Sequence, residues 1–145
     1  MNKYYFQEGA VLLPEYLVDG TVNLLAPRPG SLGLTIAITR DELDPGEDLD
    51  GFISRQMGDV AKQVAKFSRQ PSQQATLGRA AKPNGVKFKL SYKQQGRFTY
   101  HIQAIFLVPD GAKKTLGFAF TSHAEITPEQ EKLADEILAS YVPHD

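Results

Sequence analysis

A chain of 145 residues is the length of one domain and is long enough to bury a real core. Its 41% apolar and 23% charged residues are ordinary for a globular protein, and a net charge of −1 gives no electrostatic pull toward nucleic acid or anionic lipid. Cysteine is absent, which excludes disulfides, zinc–thiolate sites, iron–sulfur clusters and thiol catalysis.

The N-terminus, Met1 to Glu8, lacks an apolar stretch of signal-peptide length, because Glu8 arrives too early. No run approaches the roughly 18 apolar residues of a membrane helix. The expectation is a single domain over residues 1–145, cytoplasmic and not inserted in a membrane.

In chain order, Tyr4 to Leu13 holds apolar pieces for one or two strands, broken by Glu8 and Gly9. Asp19-Gly20 reads as a turn and Thr21 to Ala26 as a strand stopped by Pro27-Arg28-Pro29-Gly30. Leu34 to Thr39 alternates with a period of two. Asp44-Pro45-Gly46 turns the chain into a helix from about Asp48, its N-cap, to about Phe67, with Leu49, Phe52, Ile53, Val60, Val64 and Phe67 in one stripe. Ala75 to Ala81 reads as a strand, and Pro83-Asn84-Gly85 as a tight hairpin turn. Val86 to Lys93, Phe98 to Val108 and Thr115 to Thr121 follow as strands, separated by Gln95-Gly96 and Pro109-Asp110-Gly111. Thr127-Pro128-Glu129-Gln130 is a capping box with proline at the first helical position, and Leu133, Ile137, Leu138 and Tyr141 form the stripe of the last helix. This order predicts an α+β domain with a largely antiparallel sheet and two helices packed on one face.

That architecture leaves a puzzle. If both helices cover one face, the other should be polar. Lys87, Lys89, Ser91 and Lys93 fit, but from Ala104 to Val108 both faces of the long strand are apolar, and Leu24-Leu25 repeats the conflict. Either the sheet closes over itself, or an apolar concave surface is left for a partner.

Chemical motifs are weak. His123 and Glu125 are two apart and His101 lies mid-strand, too little for a metal or acid–base site without convergence; His144 reads as a tail residue. The acidic run Asp41, Glu42, Asp44, Glu47, Asp48 and Asp50 does not have EF-hand spacing and reads as complementing the positive end of the helix. Ser31-Leu32-Gly33 is not a nucleophile elbow, and no helix follows Gly30 and Gly33 to make a phosphate loop. Lys87 and Lys89 alternate with Phe88 and Tyr92, so the charges point away from the aromatics and the strand is not an RNA-stacking platform. No catalytic residue, metal or cofactor is expected.

The stretches EGAVLLPEYLVDGTVNLLAP (8–27), LGLTIAITRDELDPGEDLDGFISRQM (32–57) and VAKF (64–67), with the late TLGFAFTSH strand and the TPEQEKLADEILASY helix, resemble the DcrB-related family. They resemble most closely its Eag-type adaptor chaperones of type VI secretion systems. The markers are the Leu13-Pro14 corner, the Asp19-to-Asn23 strand entry and the Thr39-to-Glu42 run. The resemblance implies a Mog/PsbP-like curved sheet with helices on one side, and a homodimer with an apolar concave surface. It also implies a chaperone that holds the hydrophobic N-terminal transmembrane segments of a secreted effector and helps load the effector, near its PAAR region, on the VgrG spike. It implies neither nucleic-acid binding nor membrane insertion. On this reading Val22, Leu24, Ile36 and Ile38 are candidates for the apolar shelf. Gln103 and Ile105 are candidates from the long strand, Gln103 because a mid-strand amide is costly in a sealed core. Two other classes compete. One is a generic α+β protein-binding module without hydrophobic-helix clients; the other is an enzyme in which His123, Glu125 and the acidic cluster converge.

Overall fold

The computed structural model describes residues 1–17, 20–28, 33–108 and 113–143. Asp19, Pro29-Gly30, Ser31-Leu32, the Pro109-Asp110-Gly111 turn and His144 lie outside the described residues. Eleven elements follow in order: β1 (Asn2–Phe6), β2 (Gly9–Leu13), β3 (Asn23–Leu25), β4 (Thr35–Glu42), α1 (Leu49–Gln63), β5 (Ala65–Arg69), β6 (Gln73–Ala75), β7 (Gly85–Gln94), β8 (Arg97–Leu107), β9 (Lys114–Ser122) and α2 (Pro128–Ala139). β1 and β2 pair as a separate two-stranded ribbon. The main sheet runs β3-β4-β9-β8-β7-β5, with β6 also on β7, and every pairing is antiparallel. The α+β class expected from the sequence is the class observed.

Both helix starts follow from their caps. The Asp48 carboxylate accepts from Gly51 N at 2.7 Å, satisfying a first-turn amide of α1. Thr127 and Gln130 exchange bonds of 3.0 and 3.1 Å, the reciprocal pair of a capping box.

The strand expected over Ala75 to Ala81 is instead the short β6, Gln73–Ala75, followed by loop and turn, and two further readings differ. α1 ends at Gln63, and Val64-Ala65 already runs extended into β5, with Lys66 at positive φ and a bulge before Ser68. Phe67 therefore reaches the α1 cluster from a strand, where β-branched and aromatic residues such as Val64 and Phe67 are favoured. Asn84-Gly85 is not a tight hairpin turn either. Gly85 opens β7, and the Asn84 side chain accepts from Leu77 N at 2.9 Å, bracing a longer loop back to β6.

Residues paired across strands share a face, so register assigns each helix to a side. Phe52, Ile53 and Met57 of α1 cluster with Phe88, Leu90 and Ile105. Ala134 and Leu138 of α2 cluster with Ile102, Ala104, Phe106, Phe118 and Phe120. Ile105 alternates with Ala104 and Phe106 along β8, so the two helices lie on opposite faces, not on one as the sequence suggested. This resolves the puzzle of β8: both faces are apolar because each has its own helix. The Lys87–Lys89 row is not merely solvated, because Lys87 pairs with Asp135 and Lys89 with Glu131, each at 2.7 Å, tying β7 to α2.

Candidate functional site

α1 covers only part of its face. Its hydrophobic residues sit over β7 and β8, where Val86, Phe88, Leu90 and Ile105 form the floor. Beyond β8 the same face continues onto β9, β4 and β3, and no helix of the described residues packs on it. Register places two rows there: Gln103–Ala119–Ala37–Leu24, and His101–Thr121–Thr35. A third row carries Gly117 and Thr39 outward from Ile105, and a Cβ on Gly117 would meet the Thr39 hydroxyl at 2.7 Å. The floor of this open half is made of glycine, alanine and threonine, with one amide.

The rim is defined on two sides. On one, α1 leans on β4 through Gln56, which donates to the Asp41 carboxylate at 3.0 Å. The same stretch is stiffened by Arg55, which holds Glu47 through two bonds of 3.0 Å and Asp44 at 3.4 Å. The Arg55 guanidinium keeps the Glu47 carboxyl below its usual range. On the other side stands β3, with Leu24 68% exposed on this face. From β8 to β3 is three strand spacings, about 14 Å, enough for an α-helix of about 10–12 Å diameter.

His101 marks the boundary between the covered and open halves. Its Nε2 lies 3.0 Å from the Tyr92 hydroxyl and its Nδ1 3.2 Å from the Thr121 hydroxyl, and its ring stacks on Tyr92. Burial, with a smaller contribution from the nearby His123 charge, pushes its pKa down to about 4. Both ring nitrogens are thus engaged by hydroxyls and the imidazole is neutral at pH 7. Gln103 differs: nothing among the described residues bonds its amide, which faces the open floor. His123 and Glu125 are exposed in the β9–α2 connection, and the described residues contain no group of three His, Asp or Glu side chains that could hold a metal.

Of the residues named from the sequence, Leu24 and Gln103 share this floor, and Val22, 57% exposed, leads into its β3 rim. Ile105 is only 4% exposed, sealed under α1, and offers no contact area. Ile36 and Ile38 alternate with Ala37 and face the other way, packed against the α2 cluster. The residues missed are Thr35, Ala37, Thr39, Gly117, Ala119 and Thr121. Their signal was present in TIAIT (35–39) and GFAFT (117–121): every second position is small or a threonine, so those strands have one face with nothing large to bury.

The DcrB family profile matches residues 8–140, and the chain belongs to that family. The fold is similar to the crystal structure of PA94 from Pseudomonas aeruginosa, a protein of unknown function, with a TM-score of 0.70 at 17% identity, covering 100% of this chain and 98% of that one. No curated protein matches the chain. Among the described residues no helix is long and apolar enough to cross a membrane.

Proposed function

We propose that this DcrB-family protein is a cytoplasmic adaptor chaperone, not an enzyme. It shields hydrophobic N-terminal transmembrane segments of a type VI secretion effector and promotes loading of the effector, through its PAAR region, on the VgrG spike. The observation that carries the reading is the open half-face, a helix-wide trough floored by Ala37, Ala119, Gly117 and threonines and rimmed by Leu24. Small residues let a helix backbone approach closely, which is why they line helix contacts inside membranes. The Thr35 and Thr39 hydroxyls and the Gln103 amide supply hydrogen bonds to Ser, Thr or backbone carbonyls of the client. Covering the client's apolar surface removes it from water, at about 25 cal/mol per Å².

The chaperone works as a homodimer in this proposal. The β1–β2 ribbon supports that part: an isolated two-stranded hairpin is marginal in water, yet this one leaves Tyr5 70% and Leu12 62% exposed. Its link to the main sheet includes the Tyr4–Thr21 hydroxyl bond of 3.0 Å. A second copy would cover it.

Co-expression with the N-terminal transmembrane segment of an effector tests the reading. The expected result is a soluble complex whose mass, by light scattering after size exclusion, contains the segment and two chaperone copies. Leu24→Asp should abolish the complex without changing the circular dichroism. A segment that aggregates while this protein elutes alone would sink the proposal in favour of a binding module with other clients.

A further inference from the structure

A cavity lies on the α2 side of the sheet, away from the open half-face. It occupies about 700 Å³ at the C-terminal end of α2, where Leu77, Phe106, Leu116, Tyr141 and Val142 form apolar walls. That volume is within the range of small-molecule sites, about 300–1,000 Å³. The walls are fixed by the fold. Phe106 and Leu116 are cross-strand partners on the α2 face, and Phe106 is completely buried. Gly78 takes φ +67, and a Cβ there would come within 2.6 Å of the Tyr141 carbonyl, so the loop after β6 lies directly on the chain leaving α2. Gly78 N also donates to Leu138 O at 2.9 Å.

Charge selects the occupant. Arg79 is the one charged side chain among the described residues lining the cavity, and no described residue bonds or pairs with its guanidinium. Three carbonyls in the last turn of α2 are already engaged. Glu136 O and Ile137 O accept from Ser140 N, and Leu138 O accepts from Tyr141 N and Gly78 N. A half-open, mostly apolar cleft with one unpaired guanidinium at its edge fits a single apolar chain ending in an anion, because a planar guanidinium matches a carboxylate in a two-point bond. We propose that this cavity binds a linear fatty carboxylate, with its chain against the half-buried Leu116 and Tyr141 and its carboxylate on Arg79. The inference is independent of the chaperone reading.

Dodecanoate, below its micellar concentration, is the probe, titrated into the full chain while backbone amide signals are followed by NMR. Saturable shifts are expected at Leu77, Gly78, Leu116 and Tyr141, with no competition from dodecyltrimethylammonium. Arg79→Glu, an exposed substitution, should weaken dodecanoate binding by roughly tenfold or more with an unchanged fold. Three outcomes would overturn the proposal. The shifts could fall on Leu24, Ala37 and Ala119, meaning that the chain lies in the trough. Arg79→Glu could bind as well as the parent, meaning that the guanidinium does not recognise the carboxylate. The wall signals could move with protein concentration alone, meaning that a second copy fills the cavity.

Discussion

The two halves of the α1-side face use one sheet in opposite ways. Over β7 and β8 the floor is Val86, Phe88, Leu90 and Ile105, large side chains that interdigitate with Phe52, Ile53 and Met57. Over β9 and β4 the floor is Thr35, Ala37, Thr39, Gly117, Ala119 and Thr121. The change occurs within two strand spacings and without any break in the backbone ladder. Backbone pairing therefore sets the platform, while side-chain volume alone decides which half seals and which stays open. The other face shows that β4 and β9 are not weak strands: there Ile36, Ile38, Phe118 and Phe120 all belong to the α2 core.

The sharpest way to break the contrast is to remove volume from the sealed half. Phe88 is 2% exposed, and Phe88→Ala should cost about 3–5 kcal/mol, read as a fall in the urea midpoint at unchanged slope. The boundary between the halves should show next, as a pH effect. His101 has a folded pKa of about 4, below its ordinary 6.5, because burial disfavours the imidazolium. The unfolded chain binds the proton more readily, so this group's contribution is complete above pH 6.5 and is lost as pH falls from 6.5 toward 4. The loss is at most about 3.5 kcal/mol, since each pKa unit between 6.5 and 4 corresponds to about 1.4 kcal/mol. Urea midpoints of the parent and His101→Gln between pH 7 and 5 check this: the parent should fall more steeply, and parallel slopes would show that His101 is not held neutral.

How much of this was legible follows from which signals are local. The capping residues Asp48 and Thr127, the strand periodicities and the α+β class could be read directly, because each depends on near neighbours. The side on which each helix packs could not, because it depends on how the β4–α1–β5 connection passes the sheet. Once α1 and α2 were assumed to share a face, Ile105 had to look exposed and Ile36 and Ile38 looked available, although all three pack beneath a helix. Gln103 and Leu24 do lie on the open half-face, because the register of β8, β9, β4 and β3 puts them on one row. The small residues of the open half-face escaped notice because the search was for apolar bulk, and a face of glycine, alanine and threonine carries none. The loss of helix beyond Gln63 was a smaller miss, since Phe67 serves the same cluster from β5.

The gentlest change should be the most informative. Ala119 sits mid-floor between Ala37 and Gln103, half-buried, with no helix of the described residues above it. Ala119→Leu adds bulk where the fold has room, so stability should move by no more than about 0.5 kcal/mol. The same substitution in the sealed half would overpack the core and cost about 1–3 kcal/mol. If the trough receives a helix, the added isobutyl group stands where the client backbone must approach, and client binding should be lost while the urea midpoint holds. A variant that is stable and still captures the segment would separate the trough from the function. It would shift attention to the exposed apolar residues of the β1–β2 ribbon, where Tyr5 and Leu12 would then be the surface to substitute.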